Sequence, residues 1–211
     1  MKNLSTGSRT GRDTQRYSSQ GERMIVGTIP FTFQTDTDID IDTNTNTNTN
    51  MFPTSARVLL INSRKHPEEW LLPKGGWEMD EDRMEGAVRE SWEEAGVVGE
   101  LLHARQRGQQ QQEEEEQNYD NPLLLDFAVK GKNHDQLHTY YGLRIKELKE
   151  EWPEREERGR RLFTLVEAEA VLCAQQRRRD RVAQCAVLEN LKQLLVHQVP
   201  TTTSSSTSSS C

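Results

Sequence analysis

Residues 75–97 read GGWEMDEDRMEGAVRESWEEAGV, and this stretch decides the fold. Within it Gly75, Glu81, Arg89, Glu90, Glu93, Glu94 and Gly96 stand at fixed spacing, a combination that chance supplies at roughly 10⁻⁹ per starting position at average residue usage. Residues 84–95 carry good helix formers with no proline and no break beyond Gly86, which predicts a helix. Glu90, Glu93 and Glu94 fall at i, i+3 and i+4 and so share one face. Val88, Trp92 and Ala95 repeat on a neighbouring face that can pack on a sheet. Gly96 stands where a helix commonly ends on a left-handed residue.

Three carboxylates on one face repel each other, and cations between them relieve the repulsion. An acidic helix face can also simply be solvated. The preceding Pro73-Lys74-Gly75-Gly76-Trp77-Glu78 loop argues against that here, because its two glycines let backbone approach a ligand or ion closely. Oxygen donors without a nearby histidine or cysteine favour Mg²⁺ or Mn²⁺ over zinc.

The pattern resembles the signature of the Nudix hydrolases, which cleave a diphosphate bond linked to another moiety and mostly use magnesium or manganese. Ser91 departs from it, standing where an aliphatic residue is usual. That predicts looser helix packing without loss of a ligand. The flanks, Lys65-His66-Pro67, Trp70-Leu71-Leu72-Pro73-Lys74 and Asp80-Glu81, resemble the diphosphoinositol polyphosphate phosphohydrolases. So do Arg23 opening a strand with Gly27-x-x-Pro30, and Trp152-Pro153-Glu154 ahead of Arg158, Arg160 and Arg161. Leu162 stands where an aromatic residue is usual. The similarity spans most of residues 22–197.

The resemblance implies roles. Glu90 and Glu94 hold Mg²⁺ (or Mn²⁺), with Glu93 and the Gly75 or Lys74 carbonyl as further donors. Glu93 is the first choice for the general base and Glu90 the reserve. Arg89 pairs with a neighbouring glutamate and orients it, and Glu81 acts as a supporting carboxylate. Arg23, Ser63, Arg64, Lys65, His66, Lys74, Arg158, Arg160 and Arg161 border the site and are the expected substrate-binding set. Arginine forks suit phosphate oxygens, so a polyanionic small molecule is expected despite a formal net charge of −7. RNA is kept as an alternative partner. A binding module of the same fold without turnover is the other reading, and the intact glutamates favour the enzyme.

Around the signature, strands are expected at 24–33, with Pro30 as its boundary, and at 58–61, 70–72, 123–129 and 139–145. Thr164-x-x-Glu167 is a capping box opening a helix through about Cys173. Val187, Leu191, Leu194 and Leu195 predict a final amphipathic helix. This is the pattern of an α/β (α+β) domain, and the resemblance implies an α/β/α sandwich with a mixed sheet. Residues 22–197 form the expected domain. A polar N-terminal tail (1–21), low-complexity inserts (34–50 and 105–121) and a Ser/Thr-rich tail (198–211) carry too little apolar surface to offset chain entropy. Hydrophobic residues make up only 33% of the 211. Cys173, Cys185 and Cys211 show no metal or disulfide spacing, which suits a reducing compartment. With no apolar run of transmembrane length and no signal-peptide core, a cytoplasmic or nuclear protein is expected.

Overall fold

The fold is built on one long central strand, β1 (Arg23–Phe33), whose two faces meet different helices. The computed structural model describes residues 7–9, 11–33, 56–102, 126–130, 135–175 and 179–197. The expected inserts and the C-terminal tail lie outside them.

On one side β1 runs parallel to β7 (Gln136–Leu148), from Arg23 opposite Gln136 to Phe31 opposite Arg144. On the other it pairs antiparallel with β4 (Lys74–Gly76) and β2 (Ala56–Asn62). β3 (Trp70–Leu71) and β8 (Arg160–Thr164) pair with β2, while β5 (Val97–Leu101) and β6 (Asp126–Val129) pair with β7. The eight strands make one mixed sheet. Pro30, expected to bound β1, lies inside it. β4 registers with residues 25–27 and β2 with residues 31–33, so the proline falls between the two ladders, where its missing N–H costs no registered bond.

Alternation sends the side chains to opposite layers. Ile29 and Phe31 of β1 join Val58 and Leu60 of β2 beneath α2 (Leu165–Ala174) and α3 (Arg181–His197). Leu59 and Ile61 pack instead with Ala95, and Val26 with Ala87, under α1 (Arg83–Ala95). The result is an α/β/α sandwich. Truncating a wholly buried side chain such as Leu60 to alanine costs about 2–5 kcal/mol.

Further expectations need correction. The sheet-facing stripe of α1 is Ala87, Ser91 and Ala95, all fully buried, with Val88 and Trp92 only half-buried. Small residues at i, i+4 and i+8 let the helix lie close on β1. Ser91 does not loosen this packing, because its hydroxyl meets Thr28 of β1 at 2.5 Å and donates to the Ala87 carbonyl at 2.9 Å. Next, the described part of residues 1–21 is not a solvated tail. The Arg16 N–H donates to the Trp77 carbonyl, its guanidinium lies 4.5 Å from the Trp77 ring centroid, and Met79 N donates to Thr14 O. Hydrogen bonds and one cation–π contact order a segment whose composition offers little apolar surface. Last, Cys173 and Cys185 form a disulfide, with Cα atoms 5.9 Å apart. The packing of α2 on α3 brings together two cysteines whose spacing gave no sign of a pair.

Candidate active site

The signature helix is fixed at both ends. Asp82 and Glu85 form a reciprocal capping box at its start, and Gly96 closes it with φ of 61° while donating to the Ser91 and Trp92 carbonyls. From this helix Glu90 and Glu94 project into a cleft of about 430 Å³ that is also lined by Lys74, Gly75 and Gly76 of β4, by Arg23, Arg64 and Glu154, and by Ser8 and Arg9. Gly75 is required at this point. A Cβ there would lie 2.1 Å from the Glu90 carboxylate, so only glycine lets the carboxylate rest on the strand.

Arg89 sits at the centre of the acidic cluster. Its Nε and Nη2 hold Glu81 at 2.9 and 2.8 Å, Nη1 donates to Glu90 at 2.8 Å, and Nη2 reaches the Gly76 carbonyl at 2.9 Å. Burial works against the Arg89 charge, but Glu81, Glu90 and Glu93 more than offset it, so its pKa is raised. Glu94 is held at both oxygens, by Arg158 Nη2 at 2.5 Å and by the Lys74 N–H at 2.8 Å. Burial, then the charge of Glu94, pushes Glu90 up to about 8 against the pull of Arg89. Burial also pushes Glu94 up to about 7, with Arg158 and Lys74 opposing.

Glu93 is almost wholly buried and does not line the cleft. One of its oxygens accepts from the Arg9 N–H at 3.0 Å and Ser8 Oγ at 3.2 Å. The other, Oε1, is buried without a hydrogen-bond partner. Among the described residues no three acidic, histidine or cysteine side chains gather around one ion-sized point. The donor set nevertheless suits a hard divalent ion. It is all oxygen, it includes one orphaned buried carboxylate oxygen, and its repulsion and desolvation are what a cation relieves. Glu90, Glu94 and Glu93, with carbonyls of the β4 loop, are the groups that would hold it.

The expected substrate-binding residues divide. Arg23 and Arg64 line the cleft, Arg64 with its guanidinium held by Glu154 at 2.7 Å and Glu157 at 2.8 Å, as does Lys74, whose ammonium pairs with Asp180 at 3.0 Å. Arg158 is not a free anion ligand, since its guanidinium is clamped between Glu94 and Glu154. Arg160 does not belong to the cleft lining. It stacks 4.1 Å from the Trp152 ring centroid and donates to the Ala95 and Lys149 carbonyls, so it ties off the C-terminus of α1. Arg161 lies exposed over the Phe163 ring. Ser63 accepts from the His66 N–H and holds the 63–69 turn, and Lys65 and His66 are exposed outside the lining. Alternation on β8 and the turn after β2 set these directions, and the linear charge pattern does not carry them. Among the lining residues that sequence reasoning did not assign to the site are Glu154, Ser8, Arg9, Gln15 and Gln136, none of which lies near the signature in the chain.

A mixed sheet between helix layers, with a glutamate-rich helix facing a glycine loop, defines the class of fold. The NUDIX domain model matches residues 45–191. Nudix hydrolase 21, chloroplastic, of Arabidopsis thaliana is 35% identical over 163 residues, covering 76% of this chain and 65% of that protein, so the chain spans just under two thirds of its relative's length. Human diphosphoinositol polyphosphate phosphohydrolase 3-beta is 34% identical over 106 residues, covering 49% of this chain and 51% of that protein. In fold, a C. elegans Ap4A hydrolase structure aligns with a TM-score of 0.50 at 14% identity, covering 83% of this chain and 98% of that one. The chain belongs to the Nudix family. Its members generally use divalent metal ions such as Mg²⁺.

Proposed function

We propose that this protein is a metal-dependent pyrophosphohydrolase acting on diphosphoinositol polyphosphates, with diadenosine polyphosphates as secondary substrates. The carrying observation is the make-up of the cleft. Buried Glu90 and Glu94 stand beside Arg23, beside Arg64 in its pairs with Glu154 and Glu157, and beside Arg9 in its pair with Asp80, and no aromatic side chain is among the described lining residues. A compact ring crowded with phosphates needs converging cations. A dinucleoside polyphosphate also needs surfaces on which its bases stack. The human relative named above for diphosphoinositol hydrolysis favours the same reading.

A divalent ion at Glu90 and Glu94 would neutralise diphosphate oxygens and acidify an attacking water. Arg89 holds Glu90 and Glu81 in place. Lys74 N–H and Arg158 fix the rotation of the Glu94 carboxylate. Arg23 and Arg64 bind the phosphates not being cleaved. Glu93 is the proposed acceptor of the proton of water as it attacks phosphorus, although it lies behind Ser8 and Arg9 and outside the cleft lining; Glu90, which lines the cleft, is the reserve for that role. The reaction would release orthophosphate from a diphosphoinositol.

The test is a phosphate-release panel of diphosphoinositol, diadenosine and capped-RNA substrates with Mg²⁺ and Mn²⁺. A higher kcat/KM for diphosphoinositol substrates is expected. Preference for capped RNA would make this a decapping enzyme, and binding without turnover on every substrate would make it a binding module.

A further inference from the structure

Glu154 is a third buried carboxylate in the cleft, beside Glu90 and Glu94. By charge alone it weakens the attraction of the cleft for phosphate, and an unpaired charge buried there would be strongly disfavoured. Its position is not incidental. It lies in the connection between β7 and β8, and its backbone N–H donates to the Glu93 carbonyl at 3.0 Å, which pins the connection to the signature helix. Its own carbonyl accepts from the N–H groups of Glu157 and Arg158, both at 2.9 Å, closing a tight turn that brings Arg158 back over it.

The side chain then serves two arginines. Oε2 accepts from Arg158 Nε at 2.6 Å and Oε1 from Arg64 Nη2 at 2.7 Å, with Ser8 Oγ also 2.7 Å from Oε1. Arg158 spends its remaining contacts on Glu94 Oε1 at 2.5 Å and the Asn62 carbonyl at 3.2 Å. One unbroken chain of charged hydrogen bonds therefore runs from Glu154 through Arg158 to Glu94, and a branch runs to Arg64 at the cleft, which Glu157 also holds at 2.8 Å.

We propose that Glu154 is a positioning residue of the hydrolase site. Through Arg158 it sets the orientation in which Glu94 meets a divalent ion, and through Arg64 it holds a phosphate-binding guanidinium at the cleft. The inference rests on the pyrophosphohydrolase reading for its catalytic consequence. Its structural half, the control of Glu94, can be tested without turnover.

The experiment compares Glu154→Gln, Arg158→Lys and the double variant, each checked for folding by thermal melting. Mn²⁺ binding is titrated directly, and kcat and KM are measured separately on a diphosphoinositol substrate. Partners that orient metal ligands typically matter by about 10–100-fold, so Glu154→Gln should lower both Mn²⁺ affinity and kcat by that order. In the Arg158→Lys background the same change should add no more than about twofold, because the route to Glu94 is already cut. If Glu154→Gln does not fold, Arg158→Lys alone must show the loss of Mn²⁺ affinity. The proposal is overturned if Glu154→Gln lowers KM while kcat and Mn²⁺ affinity stay at wild-type values, since Glu154 would then only neutralise charge. It is equally overturned if the two losses multiply independently. A wild-type protein that binds Mn²⁺ through this chain but turns over no diphosphate would leave the positioning role standing and remove the hydrolase reading.

Discussion

Stripping divalent ions should make this protein less stable as the pH rises, the reverse of the usual behaviour of acidic side chains. Glu90 and Glu94 are pushed up to about 8 and 7 by burial and, at Glu90, by the charge of its neighbour, against an unperturbed 4.5. The sign follows from proton counting. Between 4.5 and the raised values the folded state holds a proton that the unfolded chain has already released. The stabilising contribution is thus complete at low pH and is lost as pH climbs through that window. One retained proton is worth about 1.4 kcal/mol per pH unit. Because the two carboxylates repel each other, one shared proton carries most of the effect. Over about three pH units that amounts to about 4 kcal/mol, or about 8–16 °C in Tm for a domain of this size. Calorimetry in EDTA and in millimolar Mg²⁺, at a series of pH values, measures it. The metal-free slope should be steep, and Mg²⁺ should flatten it by supplying the missing positive charge. Glu90→Gln copies the protonated state and should remove most of the slope. Equal slopes for wild type and Glu90→Gln without metal, or no response to Mg²⁺, would refute the reasoning.

Glu93→Gln should cut kcat by about 10²–10⁴, the usual loss for a general base, with Mn²⁺ binding changed less than by Glu94→Gln. If turnover disappears on Glu90→Gln and survives on Glu93→Gln, the base is Glu90. Ser91→Ala leaves the buried Thr28 hydroxyl without its 2.5 Å partner and should cost about 1–3 kcal/mol. Adding Thr28→Val should restore most of that in urea unfolding, and a further loss in the double variant would contradict the pairing. Removing residues 1–17 takes away the contact of Arg16 with Trp77 and its hydrogen bonds to the Glu78 and Met79 carbonyls. At about 1–2 kcal/mol for these contacts, Tm should drop by about 2–8 °C, whereas an unchanged Tm would return this segment to the role of a solvated tail.

Local physics made the signature helix legible. Three glutamates at i, i+3 and i+4 share a face because 3.6 residues complete a turn, and Gly96 ends the helix because no side chain opposes its positive φ. Capping chemistry marked α2 in the same way, through Thr164 and Glu167. The short strands β4, β5 and β8 were hidden. β4 reads Lys-Gly-Gly, with no β preference of its own, and exists only because β1 offers it a ladder.

Long-range assembly decided the rest. Arg64, Arg160 and Arg161 carry the same charge and were all expected to bind substrate, with the Arg64 group foremost. Sheet register turns Arg160 to the end of α1 and leaves Arg64 at the cleft. Glu154, distant in sequence from Glu94, meets it through Arg158 only because the β7–β8 connection folds back on the signature helix. The pairing of Cys173 with Cys185 and the packing of Arg16 on Trp77 have the same origin. The sequence by itself determined which groups can do the chemistry, because spacing along one helix is a local property. Only the tertiary structure decided which charges converge on them, because that depends on strand register and on where connections cross the sheet.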